Sequence, residues 1–305
     1  MEEHQYPLKD VILSVLGPDY GILPLNKGHA SGSVADAPMR GLVVDEHGRP
    51  AGVLFLSNAV DPEIVARNVQ KASDARCLLG PPLDAVILQP IVEGIHCDRS
   101  YVIWPWCRPF SSFRVWHALQ KSMLIPRVLA WLRDVIQQTQ RALPRQALDV
   151  LFEAPLRYVE SEQQFRPIMR EKAYTALDRM ASGLWHPRGV LEHNDFWLGN
   201  VLLPPWGVSR TKNPFGFYII DWAGSSLVGR PLLDTIRFCM SARLSAHRCA
   251  TELAFYTTVL GFESDDVVSY VLAGLGAIGT NLGHFPFERY VTLCENVFDY
   301  LEGAC

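Results

Sequence analysis

The sequence predicts an α+β protein with a small β-rich amino-terminal lobe and a larger, mainly helical carboxy-terminal lobe. Three observations carry that reading. Over the first hundred residues, short apolar runs alternate with Gly- and Pro-containing turns around one helical pattern. From about Phe113 apolar residues recur instead at helical spacing, and that pattern returns from Leu232 to the end. Between the helical stretches lies a short β-rich island, Val190 to Trp222, that concentrates His, Asp and Asn. The expected division is residues 1–106 and 107–305, with a crossover segment rich in Pro and aromatics at 105–112.

Each element has a local signal. Ile22-Leu-Pro-Leu is a short apolar run, followed by a small-residue loop at 26–34 that holds Gly28 and Gly32. Two apolar runs between Arg40 and Leu56 flank a turn at Asp45–Pro50 containing His47-Gly48, a hairpin signature. Asp61-Pro-Glu opens a helix with Val65, Val69, Ala72 and Arg76 on one face. The runs 85–91 and 100–104 read as strands. Helices are expected at about 113–143, where Val128, Leu132, Val135 and Ile136 share a face, and at about 168–183.

Bulk properties narrow the function classes. The chain has 305 residues, 49% of them hydrophobic and 20% charged, enough to bury a core and unlike a disordered segment. A net charge of -4 opposes a non-specific nucleic-acid binder, which needs a basic face. The acidic start Met-Glu-Glu-His-Gln-Tyr lacks the basic and apolar regions of a signal peptide. The longest apolar stretch, 267–283, is broken by Ser269, Tyr270, Thr280 and Asn281 and reads as a buried helix, so no membrane association is expected. Seven Cys occur without a Cys-x-x-Cys pair, and His247 with Cys249 has no further ligands nearby to complete a metal site. The expected compartment is the reducing cytoplasm.

The chemistry-bearing segment is Leu191-Glu-His193-Asn-Asp195-Phe-Trp-Leu-Gly-Asn200-Val-Leu. It satisfies His-x-Asp-x-x-x-x-Asn, the spacing of a kinase catalytic loop. Phe217-Tyr-Ile-Ile-Asp221-Trp222 then puts an acid after an apolar strand, and Gly229-Arg-Pro231-Leu-Leu-Asp234 follows. These three blocks, in this order, resemble the aminoglycoside phosphotransferase and choline kinase group of the protein-kinase-like superfamily. The match covers about 45 residues, and the flanking lobes agree in pattern only.

The resemblance implies a bilobal kinase-like fold and transfer of phosphate from ATP or GTP to a small-molecule hydroxyl. Phosphoryl transfer asks a protein chiefly to position groups and neutralise charge. Asp195 would accept or orient the proton of the attacking hydroxyl, with His193 supporting the loop. Asn200 and Asp221 offer the hard oxygen donors that suit Mg²⁺. Asp234 would brace the loop from the next helix or cap that helix. Trp197 and Trp222 read as packing residues. Backbone N–H groups at Gly28, Ser31 and Gly32 suit a phosphate-covering loop.

One part is missing. The resemblance requires a Lys on the third strand and a Glu on the following helix. The strand Gly52-Val-Leu-Phe-Leu-Ser57 has no Lys, and Phe55, Leu56 or Ser57 occupies the position. Glu63 and Asp74 are not securely placed to orient it. Lys27 or Lys71 is a candidate replacement; the other reading is a pseudokinase that binds without turnover. Transfer of AMP in place of phosphate stays open. The acidic tail after Gly261, where seven acids face Arg289 alone, hints at a cationic acceptor or is simply a solvated helix face.

Overall fold

The computed structural model describes residues 6–25, 38–205, 213–283 and 285–303. The chain divides into two compact units, Met1–Arg76 with Asp84–Phe110 and Val201–Ala223, and Cys77–Leu83 with Ser111–Asn200 and Gly224–Cys305.

In chain order the first unit begins with helix α1 (Tyr6–Val15), then strands β1 (Gly21–Pro24), β2 (Met39–Val44) and β3 (Pro50–Leu56). Helix α2 (Ile64–Leu79) follows, and strands β4 (Val92–His96) and β5 (Arg99–Pro105) complete a five-stranded antiparallel sheet in the order β1-β2-β3-β5-β4. Period-2 alternation sorts β3 between two cores. Leu54 and Leu56 pack with Leu8, Val11 and Ile12 of α1, and with Val43, Tyr101 and Ile103. Phe55 turns the other way, to Val65 and Val69 of α2 with Val102 and Trp104.

The β2–β3 hairpin forms at the expected turn, where the Asp45 carboxylate accepts from the backbone N–H of His47 (2.9 Å) and Arg49 (2.8 Å), and Gly48 takes φ +72°. The run 85–91 is not a strand. Leu83–Val86 is a 3-10 turn and Ile87 makes a single parallel bridge to Ile219. Val86 and Ile87 are buried, so the apolar run reports burial and not a strand. Helix α1 was not expected, although Leu8, Val11, Ile12 and Val15 have helical spacing.

Two buried hydroxyls tie α2 to the sheet. Ser57 and Ser100 lie 2.7 Å apart; Ser57 Oγ accepts from Val65 N–H (3.1 Å) and Ser100 Oγ from Ala66 N–H (3.2 Å). Ser100 N–H in turn donates to the Pro62 carbonyl at 2.8 Å. The helix start is therefore held by the sheet as well as by Asp61, whose carbonyl accepts from Ile64 N–H at 3.4 Å.

The second unit holds helix α3 (Arg114–Thr139), strand β6 (Arg141–Ala142), helices α4 (Arg145–Leu148), α5 (Ala154–Ser161) and α6 (Pro167–Ala181), and strand β7 (Arg188–Glu192). The hairpin β8 (Val201–Leu202) and β9 (Tyr218–Ile219) belongs to the first unit. Strand β10 (Ser226–Gly229) and helices α7 (Leu233–Ser241), α8 (Ala246–Leu260), α9 (Ser264–Gly279) and α10 (Phe287–Glu302) return to the second. Helix α9 is the expected buried helix, with Val267 and all eight residues from Tyr270 to Ala277 out of solvent. Tyr270 meets Phe152 and Trp185 edge-on, with centroids 5.7 and 5.2 Å away. Among the described residues no helix is long and apolar enough to cross a membrane.

Candidate active site

The candidate catalytic-loop segment starts where β7 ends. Its carboxy-terminal residue Glu192 is buried, and its carboxylate takes a two-pronged bond from Arg230, with Nη2 at 2.9 Å and Nε at 3.2 Å. Arg230 follows β10, which pairs with β7 through Ser226↔Glu192 and Gly229↔Val190. A Cβ at Gly229 would fall on the Glu192 side chain, which is the physical reason this position is Gly. Burial pushes the Glu192 carboxyl up, with Arg230 opposing that shift.

Helix α7 then grips the loop along one stripe. Asp234 Oδ2 accepts from the backbone N–H of His193 (2.6 Å) and Asn194 (3.3 Å). Arg237, three residues on, donates from Nη1 to the Asn194 carbonyl (2.7 Å) and from Nη2 to Asp195 Oδ1 (2.6 Å). Phe238 packs on Phe196 at 5.5 Å between centroids, and Ser241 Oγ accepts from Leu198 N–H at 2.9 Å. Positions 234, 237, 238 and 241 are i, i+3, i+4 and i+7, one face of a helix. Asp234 thus braces the loop backbone, as the resemblance implied. Arg237 was not foreseen, though helical spacing from Asp234 marks it.

Within the loop, Asn200 Nδ2 donates to the Asp195 carbonyl (2.8 Å) and to Asp195 Oδ2 (3.2 Å). The Asp195 carboxylate is thereby gripped at both oxygens while its side chain stays 42% exposed. His193 is buried; its Nδ1 accepts from Asp195 N–H at 3.4 Å, and its ring stands edge-on to Phe196. Asn194 sits at φ +66°, a conformation Asn tolerates better than most residues. Asp221 follows β9, also at φ +66°, and is exposed. Asn200 is the residue before β8, and Val201 pairs with Ile219, two residues before Asp221.

Lys27, Gly28, Ser31 and Gly32 lie outside the described residues. Lys71 is on the exposed side of α2. Glu63 is exposed ahead of α2, and Asp74 accepts from Gln70 at 2.7 Å. Leu56 and Ser57 are buried, which leaves Phe55 at the half-buried third-strand position. Trp222 is buried, its Nε1 donating to the Ile219 carbonyl (3.1 Å), whereas Trp197 is 45% exposed and is not a core residue. The acidic tail is not unopposed: Arg179 pairs with Glu263 (2.9 Å) and Asp266 (3.1 Å), and Arg166 with Asp299 (2.7 Å). The hint of a cationic acceptor loses its basis.

Hard oxygen donors few in number suit Mg²⁺, which keeps several waters and takes the rest of its shell from phosphates. Among the described residues no group of three or more His, Cys, Asp or Glu could hold a metal ion.

Structural comparison defines the class: the chain has the protein-kinase-like fold, bilobal and α+β. Choline kinase LicA from Streptococcus pneumoniae matches with a TM-score of 0.58 at 13% identity, covering 99% of each chain. A thermostable mutant of aminoglycoside phosphotransferase APH(4)-Ia, in a ternary complex with AMP-PNP and hygromycin B, matches with a TM-score of 0.54 at 14% identity, covering 96% of this chain and 98% of that one. A chain from Haemophilus somnus 129PT assigned as a fructosamine-3-kinase matches at 0.55 and 11% identity, covering 97% of both. No protein-family model matches the sequence, and no curated protein sequence matches it at a significant level.

Proposed function

We propose that this protein is a phosphotransferase that moves a phosphoryl group from ATP or GTP to a hydroxyl of a small molecule. The observation that supports it best is the hold on Asp195: Arg237 on one carboxylate oxygen, Asn200 on the other, and an exposed edge left for an acceptor. Phosphoryl transfer needs this kind of positioning more than it needs covalent chemistry. The resemblance to kinases of choline, aminoglycosides and fructosamine supports a small acceptor in place of a protein.

In this reading the Asp195 carboxylate orients the acceptor hydroxyl and takes its proton as the new O–P bond forms and the bond from the γ-phosphorus to the β–γ bridging oxygen breaks, releasing the nucleoside diphosphate. Arg237 and Asn200 keep the carboxylate from rotating, and Asp234 keeps the loop backbone from moving. His193 packs beneath the loop and supports its turn. Asn200 and Asp221 would hold Mg²⁺, which when bound offsets phosphate charge. The Asn200 amide nitrogen is committed to Asp195, so its oxygen is the atom available to a cation.

The test is nucleotide binding and turnover with Mg²⁺ across a set of hydroxyl-bearing metabolites. Asp195→Ala should retain Mg²⁺-dependent nucleotide affinity while turnover falls by about 100- to 10,000-fold, the range of general-base contributions. Absence of Mg²⁺-dependent binding of either nucleotide by the wild-type protein would rule the reading out. Nucleotide binding without product for any acceptor would favour the pseudokinase instead.

A further inference from the structure

The third-strand Lys is absent, and the neighbouring strand carries a cation in its place. Phe55 is the β3 residue on the α2 side of the sheet, packed with Val65, Val69 and Trp104. Its antiparallel partner on β2 is Arg40. Directly paired residues project to the same face, so Arg40 and Phe55 share the α2 side. The Arg40 guanidinium lies over the Phe55 ring, 5.1 Å from its centroid. Such stacking holds a guanidinium plane without consuming its N–H donors. Arg40 is exposed, and among the described residues it has no carboxylate partner. The orienting acid is missing as well, since α2 faces the sheet with Val65, Val69 and Ala72.

We infer that Arg40, reaching from β2 across Phe55, is the cation that binds the nucleotide phosphates. The aromatic ring replaces both missing partners: it occupies the third-strand position, and its face orients the charge that a helix carboxylate would otherwise orient. Arg suits this role because its planar fork offers paired N–H donors to phosphate oxygens. The exposed Lys71 is not needed. This inference rests on the proposed nucleotide-dependent reaction.

The experiment compares ATP, ADP and adenosine binding by titration calorimetry with Mg²⁺ for wild type, Arg40→Ala, Arg40→Lys and Phe55→Leu. Arg40→Ala should weaken ATP and ADP by roughly 10- to 100-fold, the worth of one or two charged hydrogen bonds, and leave adenosine within about 2-fold. Arg40→Lys should recover part of the loss, and Phe55→Leu should show a smaller drop of about 3-fold, with melting temperatures unchanged for the two Arg40 variants. If wild type binds ATP and Arg40→Ala binds it within 2-fold, the inference is wrong and the proposed function stands. Equal losses for ATP and adenosine would also overturn it, because they would mark a damaged lobe in place of a lost phosphate contact. Failure of wild type to bind any nucleotide removes both readings together.

Discussion

Arg230→Met tests what holds the candidate catalytic loop at its base. The Glu192 side chain is 1% exposed and that of Arg230 10%, and two hydrogen bonds of 2.9 and 3.2 Å join them. At an effective dielectric near 20, unit charges about 4 Å apart attract by ~4 kcal/mol. Breaking a buried pair by removing one partner costs ~3–5 kcal/mol, because the remaining charge is stranded. At ~2–4 °C per kcal/mol the melting temperature should fall by roughly 6–20 °C. The double variant Glu192→Leu with Arg230→Met removes both charges and should regain most of that loss.

The pH dependence has a definite sign. Burial holds the Glu192 carboxyl above the usual range, so the folded protein binds this proton more tightly than the unfolded chain does. Such a group contributes stability that is full below the unfolded value of about 4.3 and lost as pH rises through the folded one. Removing Arg230 raises the folded value further. The single variant's deficit should therefore be largest at about pH 7–8 and narrow toward about pH 5. Thermal unfolding followed by circular dichroism at both pH values measures it. A single variant melting within 2 °C of wild type at neutral pH, or a double variant no better than the single, would refute the assigned role of the pair.

Arg237→Met should lower kcat by roughly 10- to 100-fold, from ~1.5–3 kcal/mol per charged hydrogen bond, with little change in the nucleotide KM. Arg237→Lys should restore part of kcat, and an unchanged kcat in the Met variant would contradict its hold on Asp195. Iodoacetamide at pH 8 should label the exposed Cys77 and Cys97 in the native protein. Cys107 and Cys294, buried and with thiols pushed up to about 12 by burial, should label only after denaturation. Peptide mass spectrometry reads the pattern, and native labelling of Cys107 at the rate of Cys77 would contradict its burial.

Local signals carried most of what the sequence disclosed. The β2–β3 hairpin was readable because turn chemistry and period-2 alternation agree, and α9 because polar breaks interrupt its apolar run. His193, Asp195, Asn200 and Asp234 were readable because the loop is contiguous and α7 follows closely. What stayed hidden depends on cross-chain partners. Arg40 looks like an ordinary strand residue until the register pairs it with Phe55. Gly229 becomes intelligible only when Glu192 is found over it. The acids of the tail read as unopposed because Arg166 and Arg179 are distant in sequence. The run 85–91 was misread because burial without alternation does not distinguish a strand from a packed turn.

The serine pair beneath α2 bears on how activity could be controlled. Swinging the start of this helix away from the sheet would break the bonds from Val65 and Ala66 to the two hydroxyls, and the Ser100 bonds to Pro62. At ~1 kcal/mol each, four bonds amount to ~4 kcal/mol, which limits a displaced helix to roughly one molecule in a thousand. A helix so firmly docked makes a poor on–off lever. Regulation by rotation of this helix is disfavoured, so on the proposed function turnover would follow the supply of nucleotide and acceptor instead of a helix switch.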